Sequence, residues 1–314
     1  MSVAIRQAAG ATGGSLAAGV AWQRGALWAA LTVVIWAAYP AVTRLGVTRT
    51  LAPEDLFALR FGISALLLVP YLAWRASALP GGAWVKGIGL ALCQGTLAGL
   101  AIVGLELAPA RHASALIQGV IPAWLLIVGA VFLGQRFGRR SAWVVTLIAA
   151  GVAALVIGSS ALDEQVLRGD FMFLLASLLA CGYILQTRHY RLPPTATAAF
   201  VAVYCAIGFL PWYFLSGAHS LAQASAAELA LQTVYQGVLI GCVSFIALNR
   251  AIAGLGCMRT GAFLSAVPVL SAIIAIPVLG EYPSLVDCAA LVLITLGVGL
   301  ASREPQKEAA SSAP

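Results

Sequence analysis

The chain has 314 residues, of which 61% are hydrophobic and 9% are charged, and its mean hydropathy is +0.95. A soluble domain carries about 25% charged residues, so this composition excludes a soluble enzyme, a disordered regulator and a coiled coil. It leaves a polytopic membrane protein. The net charge of +7 comes without a run of basic residues, so it does not indicate nucleic-acid binding.

Two tails flank the apolar part of the chain. Residues 1–24 are rich in Ala, Gly and Ser, and a polar interruption at residues 12–15 argues against a signal peptide. We expect residues 1–24 and 303–314 to be disordered cytoplasmic tails. Between them, stretches of about 20 apolar residues predict membrane-spanning helices. Ten are predicted: 25–47, 54–74, 85–107, 112–134, 140–159, 169–188, 197–216, 229–249, 260–280 and 284–302.

The basic residues predict the orientation of these spans. With both termini in the cytoplasm, cytoplasmic segments hold 13 of the 18 Lys and Arg residues, opposite segments hold 4, and Arg60 lies within span 2. This distribution fits the positive-inside rule and favours an even number of spans. Arg greatly outnumbers Lys in an Ala-rich chain, a composition typical of GC-rich bacteria. We therefore expect a multi-pass protein of the inner membrane.

The two halves of the chain resemble each other in the same order. The matching positions include Tyr39 with Tyr183, Gln94-Gly95 with Gln236-Gly237, Pro122 with Pro268, and Gly151-Val152 with Gly297-Val298. Each half has five spans, so the second copy enters the membrane in the opposite orientation. Such inverted repeats are an architecture of transporters. The sequence predicts an all-α membrane protein of two inverted five-helix repeats, over residues 25–159 and 169–302.

Several short motifs extend this pattern over residues 25–302. They are Trp36 in span 1, Leu59-Arg60-Phe61 in span 2, Leu133-Gly134-Gln135, Leu248-Asn249-Arg250-Ala251 and Leu279-Gly280-Glu281. The chain resembles the EamA-type members of the drug/metabolite transporter superfamily, which have ten helices in two repeats. The resemblance implies a secondary transporter. The family often has Leu-Gly-Glu at both repeat ends, whereas the first copy here has Gln135, and we expect Glu281 to cap and orient a helix end.

Polar and aromatic side chains recur on matching faces of the two repeats. Because polar groups are costly inside a membrane, their positions indicate a pathway. The faces carry Trp36, Tyr39 and Pro40 in span 1, Gln94 in span 3, Gln118 and Pro122 in span 4, Tyr183 and Gln186 in span 6, Gln236 in span 8, and Ser265 and Pro268 in span 9. They predict a central cavity shared by spans 1, 3, 4, 6, 8 and 9. The alternative is that the aromatic residues anchor helix ends and the amides join neighbouring helices.

Arg60 is the one clear charge within a predicted span, and it has two interpretations. Its guanidinium group can bind a carboxylate or phosphate of the substrate in a bidentate manner. Alternatively, it forms an ion pair with Glu54, Asp55 or Glu106 that closes an external gate. We include Arg60 among the residues of the predicted path.

The remaining chemistry indicates no enzyme. The three histidines and six cysteines form no HExxH or CxxC motif, so no metal or cofactor is expected. The resemblance implies a secondary transporter that exports a small polar metabolite such as an amino acid. The neutral, aromatic-rich faces suit zwitterions or amphipathic molecules better than polyanions. Other metabolite classes (a drug-like compound, a nucleoside or a sugar) and a non-transporting helper subunit are the alternatives. The expected partners are the lipid bilayer and the small-molecule substrate, and a second copy in a homodimer is a further candidate.

Overall fold

A computed structural model describes residues 2–158, 163–217 and 219–302, with side chains from Trp22 onward except at 257 and 258. Across these residues the chain is helical, without strands, and ten helices are long and apolar enough to cross a membrane. They confirm the predicted all-α, ten-helix architecture. In order, spans 1 to 10 are Trp22–Val47, Pro53–Ala78, Ala83–Leu107, Ala110–Phe132, Arg139–Gly158, Glu164–Tyr190, Pro194–Ser216, Ala226–Leu255, Arg259–Leu279 and Leu285–Ser302.

The first helix is longer than its membrane span. It is continuous from Ser2 to Val47, so residues 2–24, predicted as a disordered tail, are helical here. The physical reason is composition, because this segment is rich in Ala, which has the highest helix propensity. The second predicted tail, 303–314, lies outside the described residues.

Spans 4 and 9 are each broken at the same point of their repeat. Span 4 consists of the helices Ala110–Ile117 and Ile121–Phe132, and span 9 of the helices Cys257–Leu264 and Val267–Leu279. Pro122 and Pro268 are the second residues of the helices that follow the breaks. Proline is tolerated there because its missing N–H would have no partner within the first turn of the helix.

Span 8 differs from span 3, its counterpart in the first repeat. It begins with the α-helix Ala226–Gln232, continues as a π-helix over Thr233–Val243 and ends with the α-helix Ser244–Leu255. Span 3 is α-helical from Ala83 to Leu107. Long π-helices are rare and often occur at functional sites.

The contacts between spans follow the symmetry of the two repeats. Span 5 packs along span 10, and span 2 packs along span 7, so each of these four spans contacts its own counterpart in the other repeat. Span 3 packs on span 6, and the equivalent contact joins span 8 to span 1. Glycines allow the closest of these contacts. A Cβ atom at Gly151 would lie 2.6 Å from Ile294, and a Cβ atom at Gly297 would lie 2.6 Å from Ile148. The two contacts are reciprocal, because each glycine receives the isoleucine of the other repeat.

The paired Gln-Gly motifs also place a glycine at a helix interface. A Cβ atom at Gly95 of span 3 would lie 2.7 Å from Cys205 of span 7. At the equivalent Gly237 of span 8, it would lie 2.4 Å from Ile63 of span 2. Both glycines therefore allow close packing between helices.

Successive spans alternate between two ends of the bundle. We call the end with the connection between spans 3 and 4 the Arg111 end, and the end at which span 7 begins the Pro194 end. The Arg111 end also holds the end of span 1 and the connections 5–6, 7–8 and 9–10.

Candidate functional site

A crevice opens among spans 2, 7 and 8 toward the Pro194 end. Its volume is about 330 Å³, within the range of small-molecule sites. Deeper in the bundle, a chamber of about 10 Å³ has room for one water-sized group. The two share Ala198 and Phe245 in their walls. The crevice is also lined by Leu68, Pro194, Thr195, Cys242, Ile246, Asn249 and Arg250, and the chamber by Arg60, Phe61, Ser64, Gln94, Val201, Ala202 and Gly241.

Arg60 provides the positive charge of the chamber. Its side chain is only 7% exposed, and its Nη1 donates a hydrogen bond to the Tyr39 hydroxyl at 3.2 Å. The guanidinium carbon lies 5.3 Å from the centre of the Tyr39 ring and 5.7 Å from that of Phe61. Among the described residues, no carboxylate lies within 4.0 Å of its nitrogen atoms. A buried charge without a counterion is costly, so the chamber favours an anionic group.

The alternative ion pair of Arg60 with Glu54, Asp55 or Glu106 is not formed. Asp55 is fully buried and instead accepts hydrogen bonds from the Tyr213 hydroxyl at 2.5 Å and from the backbone N–H groups of Ala52 and Ser220 at 2.9 and 3.1 Å. Asp55 thus caps the start of span 2 and joins it to the end of span 7. The structure leaves Arg60 free of the carboxylates proposed as its partners.

Of the residues predicted to line a path, three meet at the chamber. Arg60 and Gln94 form part of its wall, and Tyr39 contacts Arg60 from span 1. Gln236 lies elsewhere, although it is the repeat counterpart of Gln94. It is fully buried and donates to the Thr43 hydroxyl at 2.8 Å, so it joins span 8 to span 1.

The span 6 residues and Trp36 pack between helices. Gln186 donates to the Cys93 sulfur at 3.0 Å, while its Oε1 is buried without a partner. Tyr183 packs against the apolar core formed by spans 2, 3 and 7. Trp36 packs against Val267 of span 9 and residues around it.

The remaining predicted residues lie at or near helix breaks. Gln118 ends the first helix of span 4, and its Oε1 is buried without a partner. Ser265 donates to the Ala262 carbonyl at 2.7 Å beside the break in span 9. Pro122 and Pro268 begin the helices after the breaks, and Pro40 is buried within span 1. These residues do not line the crevice or the chamber.

Apart from Arg60, sequence reasoning missed the contribution of spans 2 and 7. Ala198 and Ala202 of span 7 and Ser64 of span 2 line the chamber. Small residues four positions apart share a helix face. The spacing of Ala198 and Ala202 was therefore the sequence signal that could have indicated this part of the chamber. Asn249 and Arg250 belong to a motif that the sequence singled out, and they lie in the wall of the crevice.

Charged side chains join several helix ends at the Arg111 end. Arg44 of span 1 pairs with Glu281 at 2.7 Å, while Arg111 pairs with Glu281 at 3.6 Å and with Asp287 at 3.0 Å. Arg44 also donates to the carbonyl groups of Leu105, at 2.7 Å, and Ala108 at the end of span 3. We call these four charged residues the ion-pair network. It joins spans 1, 4 and 10 and the connection after span 9.

Glu281 has the capping role expected from the sequence. Its Oε2 accepts a hydrogen bond from the backbone N–H of Ala110 at 3.0 Å, at the start of span 4. This N–H belongs to the first turn of a helix, which has no acceptor within the helix. The network therefore both joins helix ends and caps the start of span 4.

Known proteins with related sequence or structure agree with this architecture. The model of the EamA-like transporter family matches residues 23–157 and again 167–303. One similar solved structure, described only as a crystal structure of a protein, has a TM-score of 0.59 and 20% identity. That match covers 88% of this chain and 95% of the other. No curated protein matches the sequence at a significant level. Because the family model covers nearly all of both halves, the chain belongs to the EamA-like transporter family and is a multi-pass membrane transporter.

Proposed function

We propose that this transporter carries a small metabolite with a carboxylate group, such as an amino acid, and that Arg60 binds the carboxylate. The proposal is carried by the buried Arg60 guanidinium group, which lines the chamber and has no carboxylate partner in the described part of the chain. In this proposal the body of the substrate occupies the crevice, and the chamber, which has room for one water-sized group here, widens to admit the carboxylate beside Gln94. A single cation beside neutral and aromatic groups suits a zwitterion, whereas a phosphorylated sugar would require more basic residues.

Transport proceeds by alternating access in this proposal. The crevice opens at the Pro194 end while the ion-pair network closes the Arg111 end. With both termini in the cytoplasm of a bacterium and the protein in its inner membrane, the Pro194 end faces the cytoplasm. The structure then corresponds to the conformation that takes up a substrate for export. If each repeat adopted the conformation that the other repeat has here, the Arg111 end would open.

Counterflow in proteoliposomes tests the substrate class. Vesicles are preloaded with unlabelled neutral amino acids, and labelled ones are offered singly. We expect at least one to accumulate and its amide derivative, which lacks the carboxylate, not to exchange. Arg60→Gln should lower the exchange about 10- to 150-fold, since a hydrogen bond to a charged group contributes about 1.5–3 kcal/mol. Arg60→Lys keeps the charge and loses the bidentate geometry, so it should retain part of the activity.

Arg168→Gln is the matched control, because Arg168 is an exposed arginine that pairs only with Glu164 of its own helix among the described residues. It should exchange amino acids as the unaltered protein does. Equal exchange of the acid and its amide, or unchanged exchange by Arg60→Gln, would contradict the role of Arg60. Absence of exchange of any amino acid by a correctly folded protein would reject the substrate class.

A further inference from the structure

Gln94 presents to the chamber an amide group that no residue in the described part of the chain engages. It lies in span 3, is half-buried and lines the chamber together with Arg60. Neither its oxygen nor its nitrogen forms a hydrogen bond with the residues that the structure describes. A polar group within a membrane protein is costly unless it is paired. The Gln94 amide therefore has the capacity to bind a ligand.

The other glutamines predicted to line a path do not have this capacity. The Oε1 atoms of Gln118, Gln186 and Gln236 are sealed from solvent without a partner. The amide of Gln94 is accessible from the chamber that it lines. Of these four described glutamines, Gln94 is the one that can present a carbonyl oxygen to a molecule entering through the crevice.

The chamber contains few groups that can accept a hydrogen bond from a cation. Of the residues that line it in the described part of the chain, none is an Asp or Glu, and Ser64 and Gln94 are the two with side-chain oxygen atoms. The Ser64 hydroxyl donates to the carbonyl groups of Arg60 and Gly237 at 2.6 and 2.9 Å, so it already joins span 2 to span 8. Gln94 is left as the side-chain acceptor for a donor group of the substrate.

We propose that Gln94 determines specificity for α-amino acids, because its Oε1 accepts a hydrogen bond from the α-ammonium group while Arg60 binds the carboxylate. This inference rests on the proposed function. The α-nitrogen is attached to the carbon that carries the carboxylate, and both residues line one chamber. A carboxylate held by Arg60 in the widened chamber therefore carries the ammonium group toward Gln94.

The chemistry of this contact separates α-amino acids from other carboxylic acids. A hydrogen bond from an ammonium group is charge-assisted, and such bonds are roughly twice as strong as neutral ones. An acid without a donor on its α-carbon displaces water from the Gln94 carbonyl and leaves it unpaired, which costs binding energy. An α-hydroxy acid supplies a neutral donor and should bind with intermediate affinity.

Competition in the counterflow assay tests this inference. Labelled L-leucine is the first probe, because Leu68, Phe245 and Ile246 give the crevice apolar walls. The unlabelled competitors are isocaproate, in which hydrogen replaces the ammonium group of leucine, and α-hydroxyisocaproate. If a different neutral amino acid accumulates, its own two analogues replace them. We expect the unaltered protein to bind leucine about 10- to 150-fold more tightly than isocaproate, the range for a hydrogen bond to a charged group.

Gln94→Met removes the amide and approximately keeps the length of the side chain, since a thioether is only a weak acceptor. It should lose most of the preference for leucine over isocaproate, while the preference for leucine over its amide, which depends on Arg60, should remain. Gln186→Met is the matched control, because Gln186 is also half-buried but lines neither the chamber nor the crevice. It should keep both preferences.

The outcomes separate this inference from the proposed function. Absence of amino-acid exchange by the folded unaltered protein, or equal exchange of the acid and its amide, rejects the proposed function and the role of Gln94 with it. Equal binding of leucine and isocaproate by the unaltered protein overturns the role of Gln94 alone, as does a preference that Gln94→Met leaves unchanged. If Gln94→Met does not fold, Gln94→Asn decides, because it keeps an amide and withdraws it by one methylene group. It should also lose most of the preference, and an unchanged preference would overturn the inference.

Discussion

Glu281→Gln removes the charge on which the ion-pair network at the Arg111 end depends. Glu281 contacts Arg44 at 2.7 Å and Arg111 at 3.6 Å and accepts the N–H of Ala110 at 3.0 Å. The amide retains an acceptor for the N–H but not the charge. We therefore expect the Arg111 end to open more often, while the fold and the Pro194 end stay unchanged.

The size of the effect follows from the geometry. At 2.7 Å and an effective dielectric constant of about 20, the attraction between Arg44 and Glu281 is about 6 kcal/mol. Desolvation offsets much of it, and removal of one partner of a fully buried pair costs about 3–5 kcal/mol. Because the two side chains are 21% and 14% exposed, we expect a net cost of about 1–3 kcal/mol, which corresponds to about 5- to 150-fold in the opening equilibrium.

Hydrogen–deuterium exchange measured by mass spectrometry in lipid nanodiscs reports this opening. Exchange of the backbone amides in residues 105–112 and 279–287 should accelerate by that factor, and exchange in residues 190–198 at the Pro194 end should not change. Glu164→Gln is the control, because it breaks an exposed pair within one helix that contributes about 0.3–0.5 kcal/mol. Unaltered exchange in both segments, or equal acceleration at both ends, would refute the assignment of the network as the closure.

Three further variants test the packing and the site. Gly151→Ala adds a Cβ atom 2.6 Å from a side chain of span 10, so it should lower the unfolding free energy by about 1–3 kcal/mol and with it the thermal unfolding temperature. Gly299→Ala is the control, because its Cβ atom meets nothing within 4 Å, and it should not lower the thermal unfolding temperature. Gln236→Ala, which removes a fully buried amide, should cost about 1–3 kcal/mol in the same assay, and an unchanged unfolding temperature would contradict its role. Tyr39→Phe should weaken amino-acid counterflow less than Arg60→Gln does, because the ring contact stays, and an equal loss would contradict this.

The helices were predictable from the sequence because membrane thickness fixes their length. Each predicted span overlaps a helix in the structure. Two of the duplicated glycines, Gly151 and Gly297, lie at close helix contacts. The prolines that recur in both repeats also mark the starts of helices. Pro122 and Pro268 lie just after equivalent breaks, since a proline is accommodated in the first turn of a new helix.

The crevice was not predictable from polar residues alone. Gln94 and Gln236 occupy equivalent positions, yet one lines the chamber and the other joins spans 8 and 1. The difference coincides with a π-helix in span 8 that its counterpart lacks, and nothing in the two similar motifs distinguishes them. Small residues such as Ala198 form much of the wall. Such side chains leave space rather than fill it, so a search for polar groups overlooks them.

Labelling of a cysteine in the chamber tests the central claim, that a small carboxylate enters the crevice and reaches Arg60. Ala198→Cys lies in the wall of both cavities, whereas Ala199→Cys, on the same helix, is sealed within the core. A hydrophilic thiol reagent is applied with and without the amino acid found by counterflow, and peptide mass spectrometry measures the label. We predict that position 198 is labelled and is protected by the amino acid but not by its amide, while position 199 stays unlabelled. Equal labelling of the two positions, or no protection at 198, would contradict the account.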